Sequence, residues 1–155
     1  MSRIISVAGP ASATSEELGV AEEVGRLLGE AGVTVVCGGM GGVMEAVCRG
    51  ARNGGGMTVG ILPGVDRKEA NRYVDLAIPT GLGEARNVLV ARAGDSLIAI
   101  SGEYGTLSEV AMALKLEIPV VGLRTWELRK DGVPDGGIQV AADPREAVRL
   151  ALNGG

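Results

Sequence analysis

The sequence contains no histidine, and this absence limits the chemistry open to the protein. Histidine is the most common general base near neutral pH and the usual partner of a serine or cysteine nucleophile. It is also a frequent zinc ligand. Any catalysis therefore depends on carboxylates, arginine, lysine, tyrosine or backbone dipoles, and we expect no metal site.

Aromatic side chains are almost as scarce, with two tyrosines, one tryptophan and no phenylalanine. The core must therefore be built from aliphatic residues, alanine and methionine. Tyr104 and Trp126 both follow predicted strands and are large enough to stack on a flat ligand ring. Packing at a protein–protein contact explains them equally well, so both interpretations stay open.

An excess of positive charge is also missing, because the formal net charge is −4. This disfavours broad attraction to nucleic acid or to anionic membranes. Cys37 and Cys48 lack the spacing of a metal site and the density of a disulfide scaffold, so we expect reduced thiols in the core. No apolar run approaches the roughly 20 residues of a membrane span, and no signal peptide precedes the first strand. We expect a cytoplasmic protein.

Short apolar segments alternate with helical patterns along the whole chain, and many of the 26 glycines end an apolar segment. This alternation is typical of parallel strands joined by right-handed helical crossovers. A chain of 155 residues suffices for one such unit with a substantial core. We therefore predict a single α/β domain over residues 1–155, with a mainly parallel sheet of about six to seven strands between two helical layers.

The boundaries of the elements follow from the patterning. Strands are predicted at 3–8, 33–37, 57–62, 76–79, 96–100, 118–123 and 138–141. Helices are predicted at 15–30, 43–53, 84–93, after the loop 101–105, and at 145–152. Residues 66–72 are predicted as a loop or short helical turn, and 130–137 as a turn.

Two of these helices carry recognisable caps. Thr14 and Glu17 are placed for a capping box, and Asp143 precedes a proline at the first helical position. Gly19, Gly25 and Gly29 weaken the first helix, and we expect close packing on the sheet to compensate.

Four glycine-containing turns follow strands, at 9–12, 38–42, 81–86 and 102–106. Because parallel strands end at one edge of a sheet, we expect these turns to line one cleft. Unpaired N–H groups at the helix starts carry partial positive charge and suit a phosphate. The candidate ligand-binding residues on these turns are Gly9, Ser12, Gly38, Gly39, Gly41, Gly42, Gly102, Gly105 and Thr106.

The glycine cluster 38–42 is neither a P-loop nor a G-x-G-x-x-G motif, so it could also be only a tight strand-to-helix turn. Arg86 is the cation expected in the cleft, where its guanidinium could bind a phosphate or carboxylate through two hydrogen bonds. An anion in the phosphate loop would repel the ligand. We therefore expect Glu103 to point to solvent or to pair with a cation such as Arg86.

Glu109 allows two interpretations. Its spacing from Thr106 fits a capping box, in which the carboxylate only closes the helix start. Alternatively, the helix dipole keeps Glu109 ionised, and it faces the cleft as a base or as an anion that stabilises positive charge on a sugar. The buried face of this helix is predicted from its apolar residues, which are Leu107, Val110, Ala111 and Leu114.

These motifs resemble a Rossmann-like superfamily that groups the Lonely Guy phosphoribohydrolases, once mislabelled lysine decarboxylases, with molybdenum cofactor carrier proteins. The resemblance covers about residues 4–123. The family's P-G-G-x-G-T-x-x-E loop appears at 101–109, its glycine-rich turn with G-L-M at 38–44, and its Arg-Lys pair at Arg86 and Asn87. The resemblance implies a doubly wound Rossmann-like fold. Together with the lack of basic or disordered tails, it also implies a homodimer or homotetramer.

In the phosphoribohydrolases, the motif arginine and glutamate are implicated in cleaving the N-glycosidic bond of a nucleoside 5′-monophosphate. By resemblance these catalytic roles fall on Arg86 and Glu109. The resemblance also implies that Gly102, Gly105 and Thr106 hold the phosphate, and it places Asn87 among the ligand-binding residues.

The sequence departs from the family pattern in ways that favour the carrier branch. Ser101 replaces the proline, Glu103 a glycine, Asn87 the lysine and Glu45 a small residue. One cation is thereby lost and anions are added. Both readings stay open: an enzyme that hydrolyses a nucleotide, or a carrier that holds a nucleotide or molybdopterin-type ligand without turnover. Neither requires a further cofactor.

Overall fold

The elements expected from the sequence are present in the computed structural model of the protein, which describes residues 2–154. The strands are β1 Ile4–Ala8, β2 Thr34–Cys37, β3 Thr58–Leu62, β4 Leu76–Pro79, β5 Ser96–Ile100, β6 Val120–Leu123, β7 Arg129–Lys130, β8 Val133–Pro134 and β9 Ile138–Val140. The helices are α1 Ser15–Glu30, α2 Val43–Asn53, α3 Asn87–Ala93, α4 Tyr104–Lys115 and α5 Pro144–Asn153. Short 3-10 turns form at Arg67–Glu69 and Gly83–Arg86.

Seven strands form one sheet in the order β4-β3-β2-β1-β5-β6-β9. All neighbouring strands in it are parallel, so their carboxyl ends share one edge. The chain winds outward from β1 to β4 on one side and from β5 to β9 on the other. The direction therefore reverses between β1 and β5, which confirms the doubly wound Rossmann-like fold. Strands β7 and β8 pair as a separate small hairpin where the sequence predicted only a turn.

Both faces of the sheet are covered, and alternate residues of β5 show this. Ile98 and Ile100 belong to the core cluster that includes residues of α1, α2 and α5. Leu97 and Ala99 belong to the cluster that includes residues of α3 and α4. Successive side chains of a strand point to opposite faces, so the two clusters lie on opposite sides of the sheet. The predicted three-layer α/β/α arrangement is confirmed.

The predicted helix caps are formed. The Glu17 N–H donates to Thr14 Oγ1 at 3.2 Å, and the Thr14 N–H donates to the Glu17 carboxylate at 2.8 Å. Asp143 accepts from the Glu146 N–H at 2.8 Å. Both caps satisfy backbone donors that the helix itself leaves unpaired.

The glycines of α1 pack against α2 rather than against the sheet, which corrects the prediction. A Cβ at Gly25 would lie 2.1 Å from the carbonyl oxygen of Val47, and one at Gly29 would lie 2.3 Å from that of Ala51. A Cβ at Gly19 would meet no heavy atom within 4 Å. Helices α1 and α2 therefore touch through their backbones. The spacing of glycines in a sequence cannot reveal which neighbour they approach.

Cys37 and Cys48 are both fully buried free thiols, as predicted. Their sulfur atoms are 3.5 Å apart, and the Gly39 N–H lies 3.3 Å from Cys37 Sγ. The contact with Cys37, together with burial, raises the pKa of the Cys48 thiol. Both cysteines are therefore core residues.

No helix within residues 2–154 is long and apolar enough to cross a membrane.

We expect neither thiol to react with the thiol reagent DTNB while the protein is folded. A cysteine must be accessible to react with such a reagent, and both thiols are fully buried. Absorbance of the released thiolate should show two reactive thiols per chain in guanidinium chloride and almost none in buffer, with free glutathione as the control. Reaction of the folded protein at the rate of glutathione would contradict the buried placement.

Candidate ligand-binding cleft

A cleft of about 250 Å³ opens at the carboxyl edge of the sheet, where turns after β1 and β3 approach the start of α4. Six of the predicted site residues line it, namely Gly9, Arg86, Asn87, Gly105, Thr106 and Glu109. The convergence inferred from the glycine turns therefore brings the motif arginine and the motif glutamate into one cavity.

Gly38 and Gly42 do not line the cleft themselves, but their lack of a side chain lets residues of the lining pack against their backbone. A Cβ at Gly38 would lie 2.8 Å from Arg86 Nη2, so the guanidinium packs on bare backbone. Gly42 has a φ of 61°, and a Cβ there would lie 2.4 Å from the carbonyl oxygens of Pro10 and Ala11. The cluster 38–42 is thus a tight turn that supports the cleft wall.

The other predicted glycines and Ser12 lie outside the lining. Ser12 is exposed, and Gly41 is half-buried beside the turn after β1. The Gly39 carbonyl accepts a hydrogen bond from the Asn71 N–H at 2.8 Å, which places it towards β3 and β4. Gly102 packs against Trp126 on the far side of the loop.

Arg86 is a buried cation whose guanidinium is held by the protein. It is 9% exposed, and its Nε donates to the Ile61 carbonyl at 3.0 Å. Its Nη1 donates to the side-chain oxygen of Asn87, whose own amide donates to Ser108 Oγ at 3.0 Å. Asn87, which replaces the family's lysine, therefore orients the guanidinium and connects it to α4.

Glu103 does not pair with Arg86, so that alternative is wrong. The side chain is exposed at the mouth of the cleft, and within residues 2–154 it forms no ion pair. The other alternative, that Glu103 points to solvent, is confirmed. Glu84 also lines the cleft and is exposed, so the mouth carries two carboxylates.

Helix α4 begins at Tyr104, earlier than predicted, and its first backbone donors have no acceptor among residues 2–154. Glu103 is the N-cap residue, but its side chain makes no capping hydrogen bond. The Leu107 N–H donates to the Glu103 carbonyl at 3.0 Å, whereas the N–H groups of Tyr104, Gly105 and Thr106 precede the first acceptor of the helix. Thr106 Oγ1 is buried and has no hydrogen-bond partner in the described part of the chain. An anion in the cleft would supply acceptors.

The capping-box interpretation of Glu109 is wrong, because Thr106 and Glu109 are the third and sixth residues of α4 rather than its cap. Glu109 is 6% exposed and lines the cleft. Burial raises the pKa of its carboxyl to about 8, and the Arg86 guanidinium offsets this only in part. The carboxyl is therefore mainly neutral at pH 7, contrary to the prediction. The helix dipole acts over the first turn, and Glu109 lies beyond it.

The buried face of α4 differs from the predicted one. Its buried residues are Thr106, Glu109, Val110 and Ala113. Of the apolar residues predicted for this face only Val110 is fully buried, and Ala111 is exposed. Two polar side chains point inward because a cavity, rather than the core, lies against the first turns of the helix.

Tyr104 and Trp126 stack on each other, with ring centres 5.8 Å apart and planes inclined by 26°. Trp126 Nε1 donates to the Glu103 carbonyl at 3.3 Å, so the indole supports the loop that starts α4. Tyr104 is 80% exposed. Its outer ring face is therefore available at the rim.

Five residues that line the cleft were not among the candidate site residues. Pro10, Ala11 and Glu84 lie in turns that were predicted to face the cleft, Met44 lies in the G-L-M segment, and Pro63 lies outside every predicted segment. Pro63 could have been found, because it follows β3 and parallel strands end at one edge. The described residues contain no group of three or more Cys, Asp or Glu side chains that could hold a metal ion.

The fold and the cleft together define a Rossmann-like α/β/α protein with an open cleft at the carboxyl edge of its sheet. The chain belongs to the SLOG cluster4 family, whose profile matches residues 2–148. It is also 40% identical to an uncharacterized protein of Archaeoglobus fulgidus, across 96% of this chain and 94% of the other.

Two solved structures of related proteins have the same fold over nearly the whole chain. The molybdenum cofactor binding protein of Rippkaea orientalis matches with a TM-score of 0.87 and 35% identity, covering 97% of this chain and 95% of its own. The molybdenum cofactor carrier protein of Chlamydomonas reinhardtii matches with a TM-score of 0.85 and 34% identity, covering 99% and 98%.

A rice protein named probable cytokinin riboside 5′-monophosphate phosphoribohydrolase is 34% identical over 58% of this chain and 38% of its own length. With the solved carrier structures, this match confirms the resemblance to the Lonely Guy superfamily and to its molybdenum cofactor carrier branch.

Proposed function

We propose that the protein binds a phosphorylated pterin of the molybdenum cofactor type in this cleft and acts as a carrier. The observation that carries the proposal is the Thr106 hydroxyl, which is 3% exposed and unpartnered within residues 2–154, next to the free amides that start α4. A phosphate would accept hydrogen bonds from these donors and from Arg86.

The charges of the cleft support binding rather than turnover. Arg86 is its cation, and neutral Asn87 stands where the family pattern has lysine. Glu84 and Glu103 add negative charge at the mouth. The cleft therefore lacks one of the two cations of the phosphoribohydrolase pattern, at the position next to the motif arginine. The likeness to two molybdenum cofactor proteins over nearly the whole chain supports a pterin as the ligand.

A second candidate function is hydrolysis of a nucleoside 5′-monophosphate, and Glu109 is the observation in its favour. Water would attack the anomeric carbon of the ribose, the N-glycosidic bond would break, and the base would leave with a proton. A buried carboxyl with a pKa of about 8 is protonated at neutral pH and could supply that proton as a general acid.

Native mass spectrometry of freshly purified protein tests the carrier proposal. We expect added mass that denaturation removes, and uptake of one molar equivalent of molybdenum cofactor by the emptied protein. A panel of nucleoside monophosphates should release no ribose 5-phosphate. Release that Glu109→Gln abolishes would favour the enzyme instead. Failure to bind either the cofactor or any monophosphate would contradict both functions.

A further inference from the structure

Arg86 and Glu109 share the cleft without pairing with each other. Within residues 2–154, no nitrogen–oxygen distance of 4.0 Å or less joins them, and Glu109 makes no hydrogen bond. The two are nevertheless close enough for the guanidinium to act on the carboxyl electrostatically. A largely buried acid with neither an ion pair nor a hydrogen bond within the protein is expected to meet water or a ligand, and the cleft beside Glu109 has room for either.

We propose that anion binding in the cleft is coupled to protonation of Glu109, because Glu109 in its neutral acid form donates a hydrogen bond to a ligand oxygen. This inference rests on the proposed function, since it concerns the same cleft. It assigns the neutral carboxylic acid as the binding form, so the ligand must present an acceptor oxygen towards Glu109.

The energetics follow from the position of the group. Burial holds the pKa of the Glu109 carboxyl at about 8 in the free protein. A dianion beside it disfavours the ionised carboxylate further, so the complex holds the proton more tightly than the free protein does. Below about pH 8 the proton is already present. Above it, binding must bring a proton from solution, and affinity falls.

Other charged and titratable groups face Glu109, and they behave differently over this range. Arg86, from the Gly83–Arg86 turn, stays charged throughout. The acidic side chains of Glu84 and Glu103 are exposed at the mouth of the cleft. Cys37, at the end of β2, is the other group that could titrate, because its buried thiol interacts electrostatically with Glu109. The segments of β1 and β5 contain no titratable side chain.

Sulfate is the probe that separates the effect of Glu109 protonation from that of the ligand, since sulfate stays a dianion over the whole pH range. The amide signals of Gly105 and Thr106 in nitrogen-15 NMR would report its dissociation constant from about pH 7 to about pH 9.5, a range that brackets the pKa of Glu109. For the natural protein we expect a constant value up to about pH 8. Above that, the dissociation constant should rise by up to about tenfold per pH unit.

Two variants are matched controls. Glu109→Gln keeps the shape and a neutral donor at every pH, so we expect it to bind sulfate with an affinity that does not change with pH. Cys37→Ala should keep the profile of the natural protein. The same series with AMP, which carries a sugar and a base, extends the result to a nucleotide.

A second readout needs no ligand. The pKa of Glu109 is raised from the ordinary 4.5 to about 8 on folding, so between these values the folded protein holds a proton that the unfolded chain releases. Stability relative to Glu109→Gln should therefore fall as pH rises from about 4.5 and level off above about 8. Urea unfolding at a series of pH values measures this difference.

The outcomes separate the two proposals. Sulfate or AMP binding at pH 7 with no change up to pH 9.5 would overturn the coupling to Glu109 protonation and leave the proposed function standing. So would a pH profile shared with Glu109→Gln, or loss of binding at pH 7 by a folded Glu109→Gln. Absence of any anion binding at pH 7 would overturn both.

Discussion

Replacing Arg86 with alanine is expected to weaken binding of AMP or of molybdenum cofactor by about 100-fold, which corresponds to about 2.7 kcal/mol. The guanidinium is the buried charge of the cleft, and its Nε is already held by the Ile61 carbonyl. A phosphate would therefore meet an oriented donor rather than a mobile one. Isothermal titration calorimetry of the variant and of the natural protein measures the loss.

Two further variants show whether charge or geometry matters. Arg92 is exposed on α3, outside the cleft lining, so Arg92→Ala should bind within about twofold of the natural protein. Arg86→Lys keeps the charge but loses the planar fork and its contact to Ile61, and should recover only part of the affinity. If a folded Arg86→Ala variant bound the ligand as tightly as the natural protein does, Arg86 would not be a ligand-binding residue.

Replacing Gly25 with alanine is expected to destabilise the fold by about 3 kcal/mol. The new Cβ would lie 2.1 Å from the Val47 carbonyl oxygen and 2.9 Å from the Ala51 nitrogen, and both are backbone atoms of α2. Neither can rotate away as a flexible side chain could. Helices α1 and α2 must therefore separate, which exposes core on the same face of the sheet.

Gly19 in the same helix is the matched control, and its substitution should act in the opposite direction. No heavy atom lies within 4 Å of a Cβ built there, so Gly19→Ala should stabilise the protein by about 0.5–1 kcal/mol through helix propensity alone. Urea unfolding of both variants measures the two changes. Equal destabilisation by both would mean that α1 does not meet α2 through its glycines.

The order of strands and helices could be predicted because local patterning and global fold agree along most of this chain. The buried strand β5 is apolar after Ser96, as suits a strand covered on both faces, and α1 has its capping box where its apolar stripe begins. Each parallel strand must end at the edge where its neighbour ends. Convergence of the turns on one cleft follows from that rule alone.

The first turns of α4 could not be predicted in the same way, because there the pattern and the fold disagree. Periodicity assigns apolar residues to the inside, yet Thr106 and Glu109 face inward and Ala111 faces outward. Such disagreements are expected where a binding site replaces core. The protonation of Glu109 was beyond reach for a related reason, since it depends on burial depth, which a sequence does not contain.

The two walls of the cleft are held together by different kinds of contact. On one side the Val43 N–H donates to the Pro10 carbonyl at 3.0 Å, and the helices behind these turns meet through backbone atoms. On the other side Asn87 donates an exposed hydrogen bond to Ser108, and Ala91 of α3 belongs to one side-chain cluster with Val110 of α4. Because side chains can change rotamer and backbone contacts cannot, we expect any adjustment to the width of a guest on the α3–α4 side.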